Sequence, residues 1–170
     1  MVDNRRARLA SKRSLFCIGL DVEPTYYNSG RDPFSRPAWV RYLRKTHGSI
    51  EKLNRVYGTK YESLEAVPPP ELKVEEPPPE SPAYYDWVRF NQKHFANWFK
   101  WMNDIVKGTA PNVRTAVRIM DTIYIRRQLW NGIDPELICR ITDLAGNHTA
   151  VYLSLIHISE PTRPRLISYA

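Results

Sequence analysis

Two carboxylates near the start of the chain stand where they could exchange protons with a substrate. The stretch SLFCIGLDVEPTYY places six uncharged residues, 15–20, directly before Asp21, and Glu23 follows two positions later. An apolar run of this length is typical of a strand buried on both faces of a parallel sheet. Because residues two apart on a strand project to the same side, we expect Asp21 and Glu23 to face one pocket at the strand's carboxyl end. A carboxyl group in such a pocket can act as a general acid or base.

Other signals of catalytic chemistry are absent from the sequence. It contains no G-x-x-x-x-G-K-[ST], no G-x-G-x-x-G and no G-x-S-x-G, the patterns of phosphate loops, dinucleotide folds and serine hydrolases. The four histidines (His47, His94, His148 and His157) lack the paired spacing of metal ligands, and we expect His94 to be a solvated residue on a helix flank. We therefore expect no cofactor and no metal.

The two cysteines, Cys17 and Cys139, both lie within apolar stretches. Two cysteines do not make a disulfide framework, and free cysteine is among the residue types most often buried. We therefore expect both to be reduced, buried thiols.

The net charge of +7 over 170 residues is concentrated at one end of the chain. Residues 1–14 hold five basic side chains and one acidic one, whereas the rest of the chain is close to neutral. Nucleic-acid binding needs a basic stripe across the folded body, so no nucleic-acid partner is expected. No apolar run approaches the ~20 residues of a membrane span, so no membrane partner is expected either. The basic start is not followed by the apolar segment of a secretory signal.

Residues 38–61 predict two short helices after the first strand. Gly48 separates the helices and Gly58 ends the second, because glycine commonly terminates a helix. The apolar faces that support the two helices are Trp39, Val40 and Leu43 in the first, and Ile50, Leu53 and Tyr57 in the second.

A proline-rich segment, residues 67–82, precedes a long helix. Its seven prolines exclude a helix interior or a central strand, so we expect a stiff surface connector, with a proline-rich ligand for another domain as the alternative. Ser81 and Pro82 predict the start of the long helix, and Gly108 its end. The stripe expected to pack against a sheet comprises Tyr84, Trp87, Val88, Phe95, Trp98, Met102 and Ile105.

The rest of the chain predicts a second strand and a fourth helix. Residues 112–121 form an apolar run that ends in Asp121, and residues 134–136 have the composition of a helix start. Residues 142–147 fit either a last helical turn or a third strand, and periodicity does not decide between them. The alternation of strands and helices predicts an α/β fold with a parallel sheet, whose chemistry lies at the carboxyl ends of its strands. Asp121 and Asp143 are further candidates for lining that pocket.

A series of short motifs extends over about residues 15–130. In order they are a Trp-x-x-Tyr-Leu-Arg stretch, a Gly-x-Ile-x-x-Leu-Asn motif, a Tyr-Gly-Thr turn, a proline-containing loop and an Asp-Trp-x-x-Phe helix. Their residues are Trp39, Tyr42, Leu43, Arg44, Gly48, Ile50, Leu53, Asn54, Tyr57, Gly58, Thr59, Asp86, Trp87 and Phe90. This order resembles a segment of the family 42 β-galactosidases and related clan A glycoside hydrolases.

The resemblance implies a role for Glu23. In that family the segment follows the fourth strand of a (β/α)8 barrel, which ends in Asn-Glu, and the glutamate is the general acid/base. Glu23 occupies that position, whereas Val22 stands where the family has the sugar-binding Asn, and Asp21 could take over its polar role. Tyr26 and Tyr27, next to Glu23, could stack on a sugar ring or serve plain packing, and together with Asp21 and Asp121 they are the candidate substrate-binding residues. The family's nucleophile, a second carboxylate about 5–5.5 Å from the first, comes from the seventh strand, which this chain does not reach.

The same resemblance divides the chain into three parts. Residues 1–14 would end a preceding barrel helix. Residues 15–152 would form a partial barrel, roughly strand four to strand six, with the proline-rich loop 67–82 as a long insertion. Residues 153–170 resemble translated sequencing-adapter read-through and are not expected to belong to the fold. Because a complete barrel takes about 250 residues, we expect a fragment.

These observations lead to one functional hypothesis and two alternatives. The first is a truncated piece of a retaining, β-galactosidase-like glycoside hydrolase, with a carbohydrate as substrate and a two-carboxylate mechanism. The second, suggested by Val22, is a catalytically inactive barrel relative that binds carbohydrate. The third is an interaction module that uses the proline-rich loop and the basic residues 1–14.

Overall fold

A computed structural model describes residues 15–71, 81–120 and 131–148. Asp121, most of the proline-rich loop and the segments 1–14 and 149–170 lie outside the described residues. The described elements are β1 (Cys17–Val22), α1 (Arg36–His47), α2 (Ile50–Tyr57), a 3₁₀ helix (Leu64–Ala66), α3 (Pro82–Thr109), β2 (Arg114–Met120), α4 (Pro135–Ile141) and β3 (Leu144–His148).

The three described strands form a parallel sheet in the order β1-β2-β3. Val22 at the end of β1 lies opposite Arg118 of β2, and Met120 at the end of β2 lies opposite His148 of β3. The carboxyl ends of the strands therefore meet at one edge of the sheet. The α/β fold and the parallel sheet are confirmed, and β3 resolves the ambiguity over residues 142–147 in favour of a strand.

Helices cover one face of this sheet in the described part of the chain. Val117 and Ile119 of β2 are buried in a cluster with Phe99 of α3 and Ile138 of α4. The alternate residues of β2 point away from these helices, and Arg118 is exposed.

The prediction that β1 is buried on both faces is wrong for this chain. The side chain of Phe16 is 68% exposed and that of Val22 is 55% exposed. The reason is that β1 is an edge strand of the described sheet and no described helix covers its second face. An apolar run alone does not show whether a second layer is present to cover it.

The predicted stripe of α3 is only partly buried. Trp98 is 51% exposed and Ile105 is also exposed, whereas Phe90 and Phe99, which the stripe did not include, are buried. The first half of α3 packs against α1 and α2, whereas the residues from Phe95 onward pack against the sheet and α4. The buried face therefore changes along the helix, so a single stripe does not describe it.

The predicted helix boundaries agree with the structure at most ends. Ser81 caps α3, since its Oγ accepts a hydrogen bond from the N–H of Tyr84 at 3.2 Å, and Gly48 and Gly58 end α1 and α2 with φ of 79° and 69°. Gly108 does not end α3, which continues to Thr109. The last turn tolerates glycine because its exposed backbone needs no side-chain packing.

The cysteine prediction is corrected in part. Both thiols are free, but Cys17 is only half-buried and Cys139 is exposed. Cys139 follows the buried Ile138 on α4, and neighbouring helix positions point about 100° apart, so Cys139 faces solvent. Among the described helices, none is both long and apolar enough to cross a membrane.

Candidate active site

Glu23 lies one residue beyond the end of β1 in an unusual backbone conformation. Its φ is +53°, and among the described non-glycine residues it alone has a positive φ. Its N–H donates a hydrogen bond to the carbonyl oxygen of Arg118 on β2, at 2.7 Å, and its side chain is half-buried. A non-glycine residue is strained in this region, and such strain persists only where the surrounding structure enforces it.

The expectation that Asp21 and Glu23 face one pocket assumed that both lie on one regular strand, and it stays a prediction. The pairing of β1 with β2 is irregular between Gly19 and Asp21, and Glu23 lies outside the strand. The irregularity precedes Asp21, so between these two residues only the positive φ of Glu23 departs from regular strand geometry. Asp21 is exposed, and its Oδ1 accepts a hydrogen bond from the N–H of Val22 at 2.7 Å.

The loop that follows Glu23 is held by α3 and by the segment before α4. The N–H of Tyr26 donates to the carbonyl oxygen of Asn131, and Asn91 Nδ2 donates to the carbonyl oxygen of Tyr26, both at 2.7 Å. One turn earlier on α3, Trp87 Nε1 donates to the carbonyl oxygen of Ser29 at 2.9 Å. Sequence reasoning missed Asn91 and Asn131. In the sequence, the signal for Asn91 was an amide side chain among the apolar positions of the long helix, and the structure shows that this side chain is buried.

The two tyrosines of this loop have different surroundings. Tyr26 is half-buried, with its ring 5.5 Å from that of Phe95. Burial, together with the neighbouring Asp32 carboxylate, raises the pKa of its phenol. Tyr27 is 48% exposed, so more of its surface is accessible than that of Tyr26.

His94 is not a solvated flank residue. It is half-buried, with its ring stacked on Phe90 at 5.4 Å and tilted toward Tyr26 at 6.4 Å. Burial lowers its pKa below the ordinary value, and Asp32 opposes that effect. The prediction failed because the helix flank that carries His94 is covered by the loop after β1.

The later acidic candidates do not join Glu23 in the described structure. Asp121 lies outside the described residues. Asp143 precedes β3, so it lies at the amino ends of the strands, opposite the expected pocket, and its candidacy is wrong. Its Oδ2 accepts hydrogen bonds from Lys107 Nζ at 2.6 Å and from the N–H of Thr115 at 2.8 Å, which lower its pKa to about 2.

Several motif residues support the helices that follow the β1 loop. Asp86 is buried, and its Oδ2 lies 2.8 Å from both His47 Nε2 and the hydroxyl of Tyr57. This carboxylate joins the end of α1, the end of α2 and the start of α3. Burial, and then the bond to Asp86, raises the pKa of Tyr57.

Two other motif residues donate to or accept from the loops that follow α2. The indole Nε1 of Trp39 donates to the carbonyl oxygen of Val67 at 3.1 Å. The side-chain oxygen of Asn54 accepts from the hydroxyl of Thr59 and from the N–H of Tyr61, both at 2.9 Å. These motif residues therefore stabilise the conformation of the segment between β1 and α3.

Comparison with known sequences decides the family. The profile of glycoside hydrolase family 42, described as β-galactosidase, matches residues 10–140, well over half of the chain. The chain belongs to this glycoside hydrolase family. A β-1,2-glucosyltransferase of Ignavibacterium album is 25% identical over 123 residues, which are 72% of this chain and 16% of that protein.

Solved structures agree with this family at the level of the fold. An exo-carrageenase of family 42 from Bacteroides ovatus superposes with a TM-score of 0.59 and 24% identity, over 74% of this chain and 18% of that one. A β-galactosidase from Halorubrum lacusprofundi gives a TM-score of 0.59 and 14% identity, over 86% of this chain and 22% of that one. The described strands and helices thus fit part of a glycoside hydrolase TIM barrel, and this family 42 chain spans about a fifth of these relatives.

The described part of this family 42 chain offers little to a metal ion. Within residues 15–71, 81–120 and 131–148, no three His, Cys, Asp or Glu side chains are grouped closely enough to hold one.

Proposed function

We propose that this chain is the central part of a retaining, β-galactosidase-like glycoside hydrolase in which Glu23 is the general acid/base. The observation that carries the proposal is the placement of Glu23 at the carboxyl end of β1, in a strained conformation enforced by neighbouring segments. TIM-barrel enzymes place their catalytic residues at these strand ends. In this proposal β1, β2 and β3 correspond roughly to barrel strands four to six, residues 15–152 are the partial barrel, and residues 1–14 end the preceding helix.

The proposed mechanism has two steps. The Glu23 carboxyl group first donates its proton to the glycosidic oxygen as the bond to the anomeric carbon breaks, while a second carboxylate attacks that carbon. The ionised Glu23 then removes a proton from water, whose oxygen displaces the enzyme carboxylate and releases the sugar. The nucleophile belongs to a part of the barrel beyond this chain.

The substrate is proposed to be a carbohydrate bound above the carboxyl edge of the sheet. Tyr27 is exposed there and offers a ring for stacking on a sugar, and the exposed Asp21 offers a hydrogen-bond acceptor. Tyr26 contributes through its position in the loop, and Asp121 stays a prediction because it lies outside the described residues. No cofactor is required by this chemistry.

The first test is the substitution Glu23→Gln in the complete protein, with lactose and a dinitrophenyl β-galactoside as substrates. Loss of the acid should lower kcat/KM for lactose by about 10²–10⁴-fold, because its leaving group needs protonation. The dinitrophenyl substrate should be hydrolysed at nearly the original kcat/KM. Glu62→Gln, at an exposed position outside the strand ends, is the matched control and should change neither value. Unchanged lactose hydrolysis in Glu23→Gln would refute the assignment.

Val22 supports a second candidate function, that of a carbohydrate-binding relative without hydrolytic activity. Its apolar side chain is 55% exposed at the end of β1, where the family places an amide that binds a sugar hydroxyl. This candidate predicts that the complete protein binds galactosides in calorimetry but does not hydrolyse either substrate. Hydrolysis that depends on Glu23 would exclude it.

A further inference from the structure

The loop that carries Glu23 is attached to the rest of the molecule at Tyr26. We propose that Asn91 and Gly132 clamp the backbone of Tyr26 and thereby fix the direction in which Glu23 presents its carboxyl group. The proposal rests on the proposed function of Glu23 as acid/base, and it makes Asn91 and Gly132 positioning residues for that reaction.

Both backbone polar groups of Tyr26 are bound by segments distant in the sequence. Its N–H donates to the carbonyl oxygen of Asn131, and its own carbonyl oxygen accepts from Asn91 Nδ2, both at 2.7 Å. Asn91 is fully buried. Because a buried polar group is costly to leave unpaired, the loop cannot shift at Tyr26 without a penalty.

Gly132 completes the clamp by its lack of a side chain. A Cβ at this position would lie 2.6 Å from the carbonyl oxygen of Tyr26 and 3.1 Å from Asn91 Nδ2. The φ of Gly132 is +84°, a conformation that residues with a side chain rarely adopt. The backbone of Gly132 therefore occupies the space directly beside the bond between Asn91 and Tyr26, and even a methyl group would displace that carbonyl.

Glu23 lies between this clamp and a second fixed point. Its own N–H is bonded to the carbonyl oxygen of Arg118, and only Pro24 and Thr25 separate it from Tyr26. Pro24 is buried, and its ring fixes its φ. Because the two intervening residues are few and one is rigid, a displacement of Tyr26 also displaces Glu23. The backbone of Glu23 would then leave its strained positive φ, since the bonds at Tyr26 no longer hold it there.

Kinetic measurements can distinguish a role of Asn91 and Gly132 in positioning the acid from a role in stabilising the fold alone. Partial unfolding lowers the concentration of active enzyme and reduces hydrolysis of every substrate by the same factor. A misdirected acid slows only substrates whose leaving group needs protonation. The ratio of kcat/KM for lactose to kcat/KM for a dinitrophenyl β-galactoside is therefore independent of how much enzyme is folded.

The experiment measures this ratio for Gly132→Ala and Asn91→Asp in the complete protein. Gly132→Ala adds one methyl group against the Tyr26 carbonyl, and Asn91→Asp keeps the side-chain size but replaces the Nδ2 donor with oxygen. Asn97→Asp, on the exposed side of the same helix, makes the same chemical change away from the clamp. Glu23→Gln provides the ratio expected when the acid is lost.

Both clamp variants should lower the ratio, by on the order of 10²-fold for a displacement near 1 Å, and Asn97→Asp should leave it unchanged. If both clamp variants reduce the two kcat/KM values equally while Glu23→Gln lowers the ratio, the clamp has no positioning role and the acid assignment stands. If Glu23→Gln itself leaves the ratio unchanged, the proposed function fails, and the positioning role fails with it.

Discussion

At the scale of single residues, Glu23 is set apart by its backbone. A left-handed conformation costs a residue with a side chain about 1–2 kcal/mol, whereas glycine adopts it freely. A glutamate in this position, with a φ of +53°, therefore depends on hydrogen bonds on both sides of it, from its own N–H to Arg118 and from the N–H of Tyr26 to Asn131. Strain of this kind is common where a side chain must be held in one direction for function.

His94 gives a prediction for the pH dependence of stability. Burial lowers its pKa below the ordinary value of 6.5 in the folded chain, although Asp32 opposes this. Below pH 6.5 the unfolded chain therefore binds more protons than the folded one, so the contribution of neutral His94 is complete above that pH and decreases as the pH falls from 6.5 toward the folded pKa.

This dependence can be measured by urea unfolding between roughly pH 5 and pH 8. The free energy of unfolding of His94→Gln should decrease less steeply below pH 6.5 than that of the unsubstituted chain. Tyr26 and Asp32 face His94 and remain in both proteins, so their contributions cancel in the comparison. Parallel slopes in the two proteins would contradict the prediction.

At the scale of elements, one buried carboxylate connects the two helices between β1 and α3 to α3 itself. Asp86 on α3 accepts hydrogen bonds from Tyr57 at the end of α2 and pairs with His47 at the end of α1. The helices α1 and α2 contribute Leu43 and Leu53 to the same core. Three elements are therefore joined by one buried carboxylate and by a shared apolar cluster.

Asp86→Asn should destabilise the chain by about 2 kcal/mol, because it weakens the hydrogen bonds of two partners that have little access to water. The matched control is Asp104→Asn on the same helix. Asp104 pairs with Lys100 at 2.7 Å on the surface, and such exposed pairs contribute about 0.5 kcal/mol or less. The free energy of unfolding in urea measures both. Equal effects of the two substitutions would show that Asp86 has no special role.

At the scale of the whole molecule, the chain spans 16–22% of the relatives compared above. In the described residues β1 and β3 are the two edges of the sheet, and Phe16, just before β1, and Val22, at its end, are exposed. In a closed (β/α)8 barrel, strands pair on both sides and the inner face is filled with side chains. The exposed edges and apolar residues are the surfaces such a barrel would cover.

Sequencing the gene through codon 152 and beyond tests this arrangement. We expect the reading frame to continue into further strand–helix units, with a glutamate ending the seventh strand, and residues 153–170 to be replaced by another sequence. A gene that encodes residues 153–170 and then stops would contradict the partial barrel. The proposed two-carboxylate mechanism would then lack its nucleophile.

Much of the local structure could be predicted from sequence because its signals are local. Ser81 before Pro82 starts α3, and Gly48 and Gly58 end α1 and α2, through bonds formed within a few residues. The burial of side chains could not be predicted in the same way. Trp98 fits the apolar stripe of α3 and is half exposed, because burial depends on which other element packs there.

The sequence by itself determined the order of the elements before β3, the resemblance to family 42 and the position of Glu23 next to the first strand. Only the tertiary structure decided how Glu23 is held. Asn91 and Gly132 are 41 residues apart in the sequence, yet both meet the carbonyl oxygen of Tyr26. Hydrogen bonds and close backbone approaches between distant segments leave no periodic pattern, so they are defined only when the chain is folded.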